Sequence, residues 1–242
     1  MLRQAGFIAG LVVAVTCLFA APSYSGTLWY NGDFDGYNGL LDEINTANDA
    51  RPYDDFLVDG GGWTVNEVWS NNFINTQALP NVNNITQAAW EIRSGLSAGN
   101  GGTVVAGGTG SATHTATGRT FYSYYYEYTF NVSELDVALA PGRYWLAVTP
   151  LTGQASYVSY NSTTVGANAV GTPAGDNRNN FFNWVSQGYF FEPCVNVMDP
   201  HDYSLGVSGT SGEPPVPEPA TMALFGIGSA ATAFSRRKKK LA

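Results

Sequence analysis

Apolar and aromatic residues recur in short runs between residues 26 and 212, and clusters of Gly, Asn and Asp separate the runs. Runs of this length, rich in β-branched and aromatic residues and bounded by turn residues, are typical of β-strands. Helical periodicity is nearly absent, and residues 42–50 lack an apolar face. The pattern predicts strands at residues 26–30, 55–58, 63–69, 88–93, 103–107, 112–116, 120–132, 142–150, 157–160, 182–191 and 203–207.

The turn residues between these runs indicate how the strands are connected. Asn31-Gly32, Gly60-Gly61-Gly62 and Gly99-Asn100-Gly101-Gly102 suit tight connections between antiparallel strands. Many short strands joined in this way favour an all-β fold, an antiparallel β-sandwich of jelly-roll type, over residues 26–212. We expect its first and last strands to pair and to hold the two ends of the domain together.

The residues before this domain follow the order of a secretory signal peptide. Arg3 is basic, residues 6–21 are apolar and uncharged, and small residues follow in Ser23-Tyr24-Ser25. This order predicts a signal peptide over residues 1–25, cleaved between Ser25 and Gly26. An uncleaved anchor helix is the alternative interpretation.

The residues after the domain predict a linker and a short membrane helix. Residues 213–219 contain four prolines, each of which fixes φ and disfavours helix in the residue before it, so this segment is an extended linker. Residues 220–235 are uncharged and predict a single transmembrane helix. The apolar part, 220–234, would span only about 22 Å of a hydrocarbon core of roughly 30 Å, so snorkelling basic side chains are needed to complete it.

A basic cluster follows the predicted helix and sets its orientation. Residues 236–242 contain five consecutive cations, and positive residues flanking a membrane helix stay in the cytoplasm. We therefore expect the β-rich domain to lie outside the cytoplasm. The cluster consists of Arg236, Arg237, Lys238, Lys239 and Lys240.

Val216-Pro217-Glu218-Pro219, the apolar segment and the terminal basic cluster together resemble the PEP-CTERM sorting signal of Gram-negative bacteria. The resemblance covers residues 216–242. It implies that an exosortase, a membrane-embedded enzyme similar to cysteine transpeptidases, recognises Pro217, Glu218 and Pro219 and removes the helix. The protein would then be anchored in the inner membrane only transiently, before reaching the cell surface or the extracellular space.

Further segments resemble the uncharacterised β-sandwich that occurs in other PEP-CTERM proteins. Residues 90–95, 101–106 and 141–148 carry this resemblance, and residues 53–56 and 62–65 add to it. The resemblance supports the sandwich fold and implies no particular activity.

Charge and cysteine content exclude some classes of function. The region from Gly26 to Pro219 holds five arginines and nineteen acids, a net charge of −14, and such a charge opposes binding to nucleic acid. Cys17 falls in the predicted leader, so Cys194 is the one cysteine of the predicted mature chain and no internal disulfide is expected. A packed, partly buried thiol and an intermolecular disulfide both remain open for Cys194.

One segment suggests a metal, and it is the only cofactor that the sequence indicates. Asn31, Asp33, Asp35, Gly36 and Asp42 occupy positions 1, 3, 5, 6 and 12 of a calcium-loop pattern, which supplies oxygen ligands on a sharp turn. The pattern has Asp where Glu is usual at its last position and lacks flanking helices. An ordinary hairpin turn is the competing interpretation.

A row of tyrosines suggests a second kind of site. Tyr122, Tyr124, Tyr126 and Tyr128 lie at alternate positions with Phe130, so one predicted strand presents all five rings on one face. Exposed rings would stack on sugars, whereas buried rings would belong to the core. The six tryptophans are expected in the core: Trp29, Trp63, Trp69, Trp90, Trp145 and Trp184.

The sequence lacks the usual catalytic patterns. His114 and His201 have no partner at metal-ligand spacing, and no Gly-x-Ser-x-Gly motif occurs. Asp54 and Asp55 are adjacent on a predicted strand and should point to opposite faces, unlike a glycosidase pair. We therefore expect a protein that is not an enzyme.

These observations favour an exported, non-catalytic protein of the cell surface or extracellular matrix, sorted by its tail and associated with exopolysaccharide. A carbohydrate-binding module that uses the tyrosine row is the alternative function. An enzyme whose carboxylates meet only in the folded structure is the third.

Overall fold

A computed structural model describes residues 25–75, 82–154, 158–173, 175, 177–194 and 201–212. In this part of the chain the regular elements are strands and two short 3₁₀ turns, at Val82–Asn84 and Val185–Gln187. The strands are β1 (Ser25–Tyr30), β2 (Asp33–Leu41), β3 (Glu43–Ile44), β4 (Asp49–Val58), β5 (Trp63–Asn75), β6 (Gln87–Ser94), β7 (Thr103–Ser111), β8 (Thr113–Phe121), β9 (Tyr125–Val132), β10 (Val137–Leu139), β11 (Gly142–Pro150), β12 (Ser159–Ala167), β13 (Phe181–Trp184), β14 (Tyr189–Pro193), β15 (Asp202–Tyr203) and β16 (Leu205–Ser211).

The strands form two antiparallel sheets, which confirms the predicted all-β sandwich. The nine-stranded sheet has the order β1-β16-β5-β12-β15, with β9 and β10 also paired to β5, β8 paired to β9, and β2 paired to β12. The seven-stranded sheet has the order β14-β13-β4-β11-β6-β7, with β3 paired to β4.

The first and last strands of the domain pair as predicted. β1 runs antiparallel to β16, with Gly26 opposite Gly209 and Tyr30 opposite Gly206. β16 in turn pairs with the long strand β5, so the pair is continuous with the middle of the nine-stranded sheet. The two ends of the domain therefore lie side by side.

Aromatic side chains from both sheets form the centre of the core. Phe56 of the seven-stranded sheet packs against Trp29 and Trp63 of the nine-stranded sheet, with ring centroids 5.4 and 5.8 Å apart. Tyr144, from the strand next to Phe56, adds a third contact at 5.8 Å. Fully burying one large apolar side chain contributes roughly 1.5–3 kcal/mol, so this cluster is a main source of cohesion between the sheets.

The nine-stranded sheet curls until β2 lies against β8. Arg119 on β8 forms an ion pair with Asp33 on β2, at 3.0 Å between Nη1 and Oδ1. Beside this pair, Phe34 on β2 contacts Phe121 on β8 and Phe73 on β5, with centroid distances of 5.7 and 4.6 Å. The curl thus encloses a strip of side chains from β2, β5 and β8.

A buried carboxylate stabilises the curl from inside. Glu127 on β9 is 1% exposed and accepts hydrogen bonds from Thr117 of β8 at 2.6 Å and from Ser162 of β12 at 2.5 Å. Its charge is balanced by Arg119, whose Nε donates to Oε2. A buried carboxylate is costly unless it is paired and hydrogen-bonded, and here two strands, β8 and β12, supply its partners.

Three predicted strands are each divided in the structure. The predicted strand 120–132 breaks at a turn between β8 and β9, where Tyr122 has a left-handed φ of 49°. The predicted strand 182–191 breaks at a 3₁₀ turn that ends at Gly188, with φ 77°. The predicted strand 203–207 is interrupted at Ser204, between β15 and β16. β1, β6 and β11 agree with the prediction within one residue at each end, whereas β4, β5, β7, β8 and β12 extend further than apolar patterning indicated, and in β5 buried polar residues continue the strand. β2, β3 and β10 were not predicted.

Several predicted core residues are confirmed. Cys194 is 1% exposed and belongs to the main core cluster, so it is more deeply buried than the expected partly buried thiol. Trp29, Trp63, Trp90 and Trp145 are buried, whereas Trp69 and Trp184 are only half-buried.

The predicted tail lies outside the described residues. The predicted leader also lies outside them, apart from Ser25 at its C-terminal end. The linker, the transmembrane helix and the basic cluster therefore stay predictions from sequence. Among the residues that the structure does describe, no helix has the length and apolar character needed to cross a membrane.

Candidate functional site

The open end of the curl carries a pocket lined mainly by aromatic side chains, with a volume of about 270 Å³. We call it the aromatic pocket. β2, β5, β8, β9, β12 and the turn between β8 and β9 all contribute to it. Its lining residues are Asn38, Gly39, Phe73, Phe121, Tyr122, Tyr124, Tyr125 and Tyr160.

The turn between β8 and β9 presents two tyrosines at the rim. Tyr122 is 70% exposed and Tyr124 is 37% exposed. Each ring packs on a neighbour that lies deeper, Tyr122 on Phe121 at 4.3 Å and Tyr124 on Tyr125 at 4.8 Å. Exposed aromatic rings that are held by neighbours lose little conformational entropy when a ligand stacks on them.

Buried and half-buried rings form the floor and the far wall. Phe73 is 1% exposed, and Tyr125 meets Tyr160 edge to face at 5.6 Å with an interplanar angle of 81°. Burial, together with the neighbouring Tyr125, raises the pKa of Tyr160 to about 12. The phenol is therefore neutral at physiological pH and keeps its proton for hydrogen bonding.

The close approach of β2 to the wall depends on Gly39. A Cβ at this position would lie 2.9 Å from Cβ of Tyr160 and 3.2 Å from the carbonyl oxygen of Asn161. These distances are shorter than ordinary van der Waals contact, so a side chain would push the two strands apart. Gly39 thus sets the width of the pocket at this point.

The aromatic pocket contains hydroxyl and amide groups but no charge among its described lining residues. A pocket of this kind favours a neutral ligand that combines apolar faces with hydroxyl groups. The strongly acidic composition of the surrounding domain reinforces this preference by disfavouring anions.

The predicted tyrosine row is only partly right. Tyr122 and Tyr124 line the aromatic pocket, but they belong to a turn rather than a strand. Tyr126 and Tyr128 lie on β9, on the face that carries buried Phe130, and adjacent Tyr125 points the other way. The prediction that all four tyrosines share one face is therefore wrong.

Tyr126 and Tyr128 also differ in environment. Tyr126 is 44% exposed, whereas Tyr128 is half-buried and packs against His114 with a centroid distance of 5.9 Å. Sequence patterning did not identify Phe73, Tyr125 and Tyr160 as pocket residues. Ser123 was the one hint, because it interrupts the aromatic run where the turn occurs.

The structure does not form the predicted calcium loop. Residues 33–41 make up the extended strand β2, which cannot fold around an ion as a tight loop does. Among the described residues, no group of three or more His, Cys, Asp or Glu side chains could hold a metal ion. The predicted loop geometry is wrong because pairing with β12 extends the segment.

The predicted calcium ligands instead have separate partners. Asn31 donates from Nδ2 to Asp54 at 2.8 Å. Asp33 accepts from the Tyr30 hydroxyl at 2.7 Å, and Asp35 pairs with Nδ1 of His201 at 2.6 Å. These contacts tie β2 and its neighbours to the rest of the domain.

Asp42, the last predicted calcium ligand, is buried near the joint between β2 and β3. Its Oδ2 accepts from Nδ2 of Asn72 at 2.7 Å. Burial raises its pKa to about 7, although the hydrogen bond from Asn72 acts in the opposite direction. Asp42 is therefore a titrating group inside the domain.

The adjacent acids Asp54 and Asp55 are both fully buried. Asp54 accepts from the backbone N–H of Tyr203 at 2.6 Å, and burial together with the charge of Asp202 raises its pKa well above the usual range. Asp55 forms an ion pair with Arg143. Neither acid lines the aromatic pocket.

Fold and pocket together define an all-β domain with an uncharged pocket lined by aromatic side chains. Residues 215–239 match the family of the PEP-CTERM protein-sorting motif, so the chain carries this motif after the domain. The motif implies export, a membrane-anchored sorting signal and processing by an exosortase. Searches of curated proteins and of solved structures found no significant match.

Proposed function

We propose that the domain is a non-catalytic protein of the cell surface or extracellular matrix that binds a neutral polysaccharide in the aromatic pocket. The observation that carries this function is the pair of exposed rings, Tyr122 and Tyr124, at the rim of an uncharged pocket. The sorting motif supports this location, because it directs the chain out of the cytoplasm. Exopolysaccharide accumulates on the outside of the cell.

The lining matches the chemistry of a sugar. The C–H faces of a pyranose ring pack against aromatic rings, and its hydroxyls exchange hydrogen bonds with amide and phenol groups. Tyr122 and Tyr124 offer the rings, and Asn38 and Tyr160 offer polar groups. No cation lines the described pocket, so an acidic polysaccharide finds no counter-charge there.

The proposed function involves no catalysis. Asp54 and Asp55 are buried and engaged in hydrogen bonds or an ion pair. His114 packs against Tyr128 and Phe130, at centroid distances of 5.9 and 5.8 Å. These contacts support a structural role for Asp54, Asp55 and His114.

Affinity electrophoresis of the mature protein in gels that contain neutral polysaccharides tests the function. We expect retention of the wild type and loss of retention in Tyr122→Ala and Tyr124→Ala. Tyr126→Ala is the matched control, because Tyr126 is 44% exposed but lies outside the aromatic pocket. Equal migration of the wild type in gels with and without every neutral polysaccharide would show that the domain has no such ligand.

A further inference from the structure

A second pocket adjoins the aromatic pocket, with a volume of about 280 Å³. We call it the Trp184 pocket. It lies between β2, β12 and the hairpin of β13 and β14. Tyr189 is 54% exposed and forms part of its rim, and Glu192 is its one charged lining residue.

The two pockets share a wall. Gly39 and Tyr160 line both of them, and Leu40 and Leu41 continue the lining of the Trp184 pocket along β2. Tyr160 lies opposite Leu41 in the ladder between β12 and β2, so the shared wall is built from paired backbone. The pockets are therefore neighbours along β2, and we call the pair the β2 groove.

Trp184 and Tyr189 form the aromatic side of the Trp184 pocket. Nε1 of Trp184 is buried and has no hydrogen-bond partner among the described residues. Its ring lies beside Tyr189, with centroids 6.3 Å apart and planes inclined by 32°. Because Nε1 is buried, the exposed ring of Tyr189, rather than the indole N–H, is the group that a ligand meets here.

Size points to a ligand that occupies both pockets. Each pocket alone is smaller than the roughly 300–1,000 Å³ typical of sites that enclose a small molecule. The joined groove falls within that range. It is also open along its length, since exposed Tyr122 lies in one pocket and exposed Tyr189 in the other.

We propose that the β2 groove binds an extended stretch of a neutral polysaccharide across both pockets, an inference that rests on the proposed function. The first two sugar units occupy the aromatic pocket, and the following units occupy the Trp184 pocket. There the exposed ring of Tyr189 stacks on a sugar and the Glu192 carboxylate accepts from a hydroxyl. The negative charge of Glu192 also disfavours chains of uronic acids.

Two consequences separate this groove from a single-pocket site. Affinity rises with the length of the oligosaccharide until both pockets are filled. Changes in the Trp184 pocket weaken the binding of long oligosaccharides and leave the binding of disaccharides unchanged, because a disaccharide occupies the aromatic pocket alone.

Isothermal titration of the mature protein with neutral oligosaccharides, from disaccharides to hexasaccharides of glucan, mannan, galactan and xylan, tests these consequences. We expect hexasaccharides to bind at least roughly tenfold more tightly than disaccharides, a difference of about 1.4 kcal/mol. Tyr189→Ala removes the exposed ring of the Trp184 pocket, and it should abolish most of this gain. Tyr122→Ala should weaken oligosaccharides of every length, and Tyr126→Ala none.

Each possible result of this titration tests a different part of the proposal. Binding that is independent of length and unaffected by Tyr189→Ala would refute the extended groove and leave the proposed function intact. Failure of every oligosaccharide and polymer to bind the wild type would refute both. Stronger binding of polygalacturonate than of any neutral chain would refute the neutral class of ligand.

Discussion

Tyr160 on β12 and Tyr125 on β9 meet edge to face at 5.6 Å, although their strands pair with opposite sides of β5. Their rings come together because the sheet curls, and Phe73 of β5 lies in the same pocket as both. The contact between Tyr160 and Tyr125 therefore depends on the curl of the sheet, and it shapes the aromatic pocket.

Tyr160 should therefore be the residue whose loss weakens binding most. Tyr160→Ala removes a wall of both pockets, so we expect a loss of affinity for long oligosaccharides of more than roughly tenfold. Tyr160→Phe keeps the ring contact and should retain most of the affinity. Titration calorimetry measures both variants, and an alanine variant with unchanged affinity would contradict the assignment of this wall.

Asp42 should make the stability of the domain depend on pH. The folded state holds the Asp42 proton up to about pH 7, whereas the unfolded chain releases it near the ordinary value of 3.8. Between these values the folded state binds more protons, so the free energy of unfolding falls as pH rises, by up to about 1.4 kcal/mol per pH unit.

Asp42→Asn should remove this contribution and flatten the stability profile between about pH 4 and pH 7. Urea denaturation of both proteins at several pH values in this interval provides the measurement. The same slope in the variant and the wild type would show that Asp42 ionises in the folded state as it does in the unfolded chain.

Phe56 should be among the most sensitive positions for stability. It is fully buried and contacts Trp29, Trp63 and Tyr144, so Phe56→Ala leaves a cavity between the sheets. Such a change costs about 3–5 kcal/mol. Val104→Ala, at a side chain that is 47% exposed, is the control and should change stability by less than about 0.5 kcal/mol. Chemical denaturation would contradict the packing if the two variants were equally stable.

The sorting motif should control processing of the C-terminus. Replacing Pro217, Glu218 and Pro219 by alanine removes the features that the exosortase is expected to recognise, so the precursor should keep its tail. Pro214→Ala, in the linker but before the matched residues, should be processed normally. Mass spectrometry of the mature C-terminus reads out both, and identical cleavage in the triple variant would exclude these residues as the recognition element.

Most of the fold follows from local patterning. Alternation and turn residues were enough to place β6, β7 and β11 within a few residues, because these strands are bounded by Gly, Pro or Asn and carry apolar runs. Local patterning did not indicate that β5 extends through Asn71 and Asn72. These amides are buried and bonded to Ser204 and Asp42, and such partners are known only once the chain is folded.

The site was harder to predict for the same reason. Tyr122 and Tyr124 were identified, but the turn that carries them contains no Gly, Pro, Asn or Asp, so the run read as one strand. Tyr160 is separated from that turn by more than thirty residues and reaches it only through the curl. Sequence spacing gives no signal for such a contact.

The pairing of β1 with β16 also bears on when the domain can fold. Trp29 lies opposite Val207, so the nine-stranded sheet is complete only after nearly the whole domain sequence is present. Contacts between residues this distant in sequence form slowly, because a long loop must close first. In a nascent chain that still lacks residues 205–211, β1 has no partner strand. We therefore expect the domain to acquire its full structure only after β16 has been synthesised.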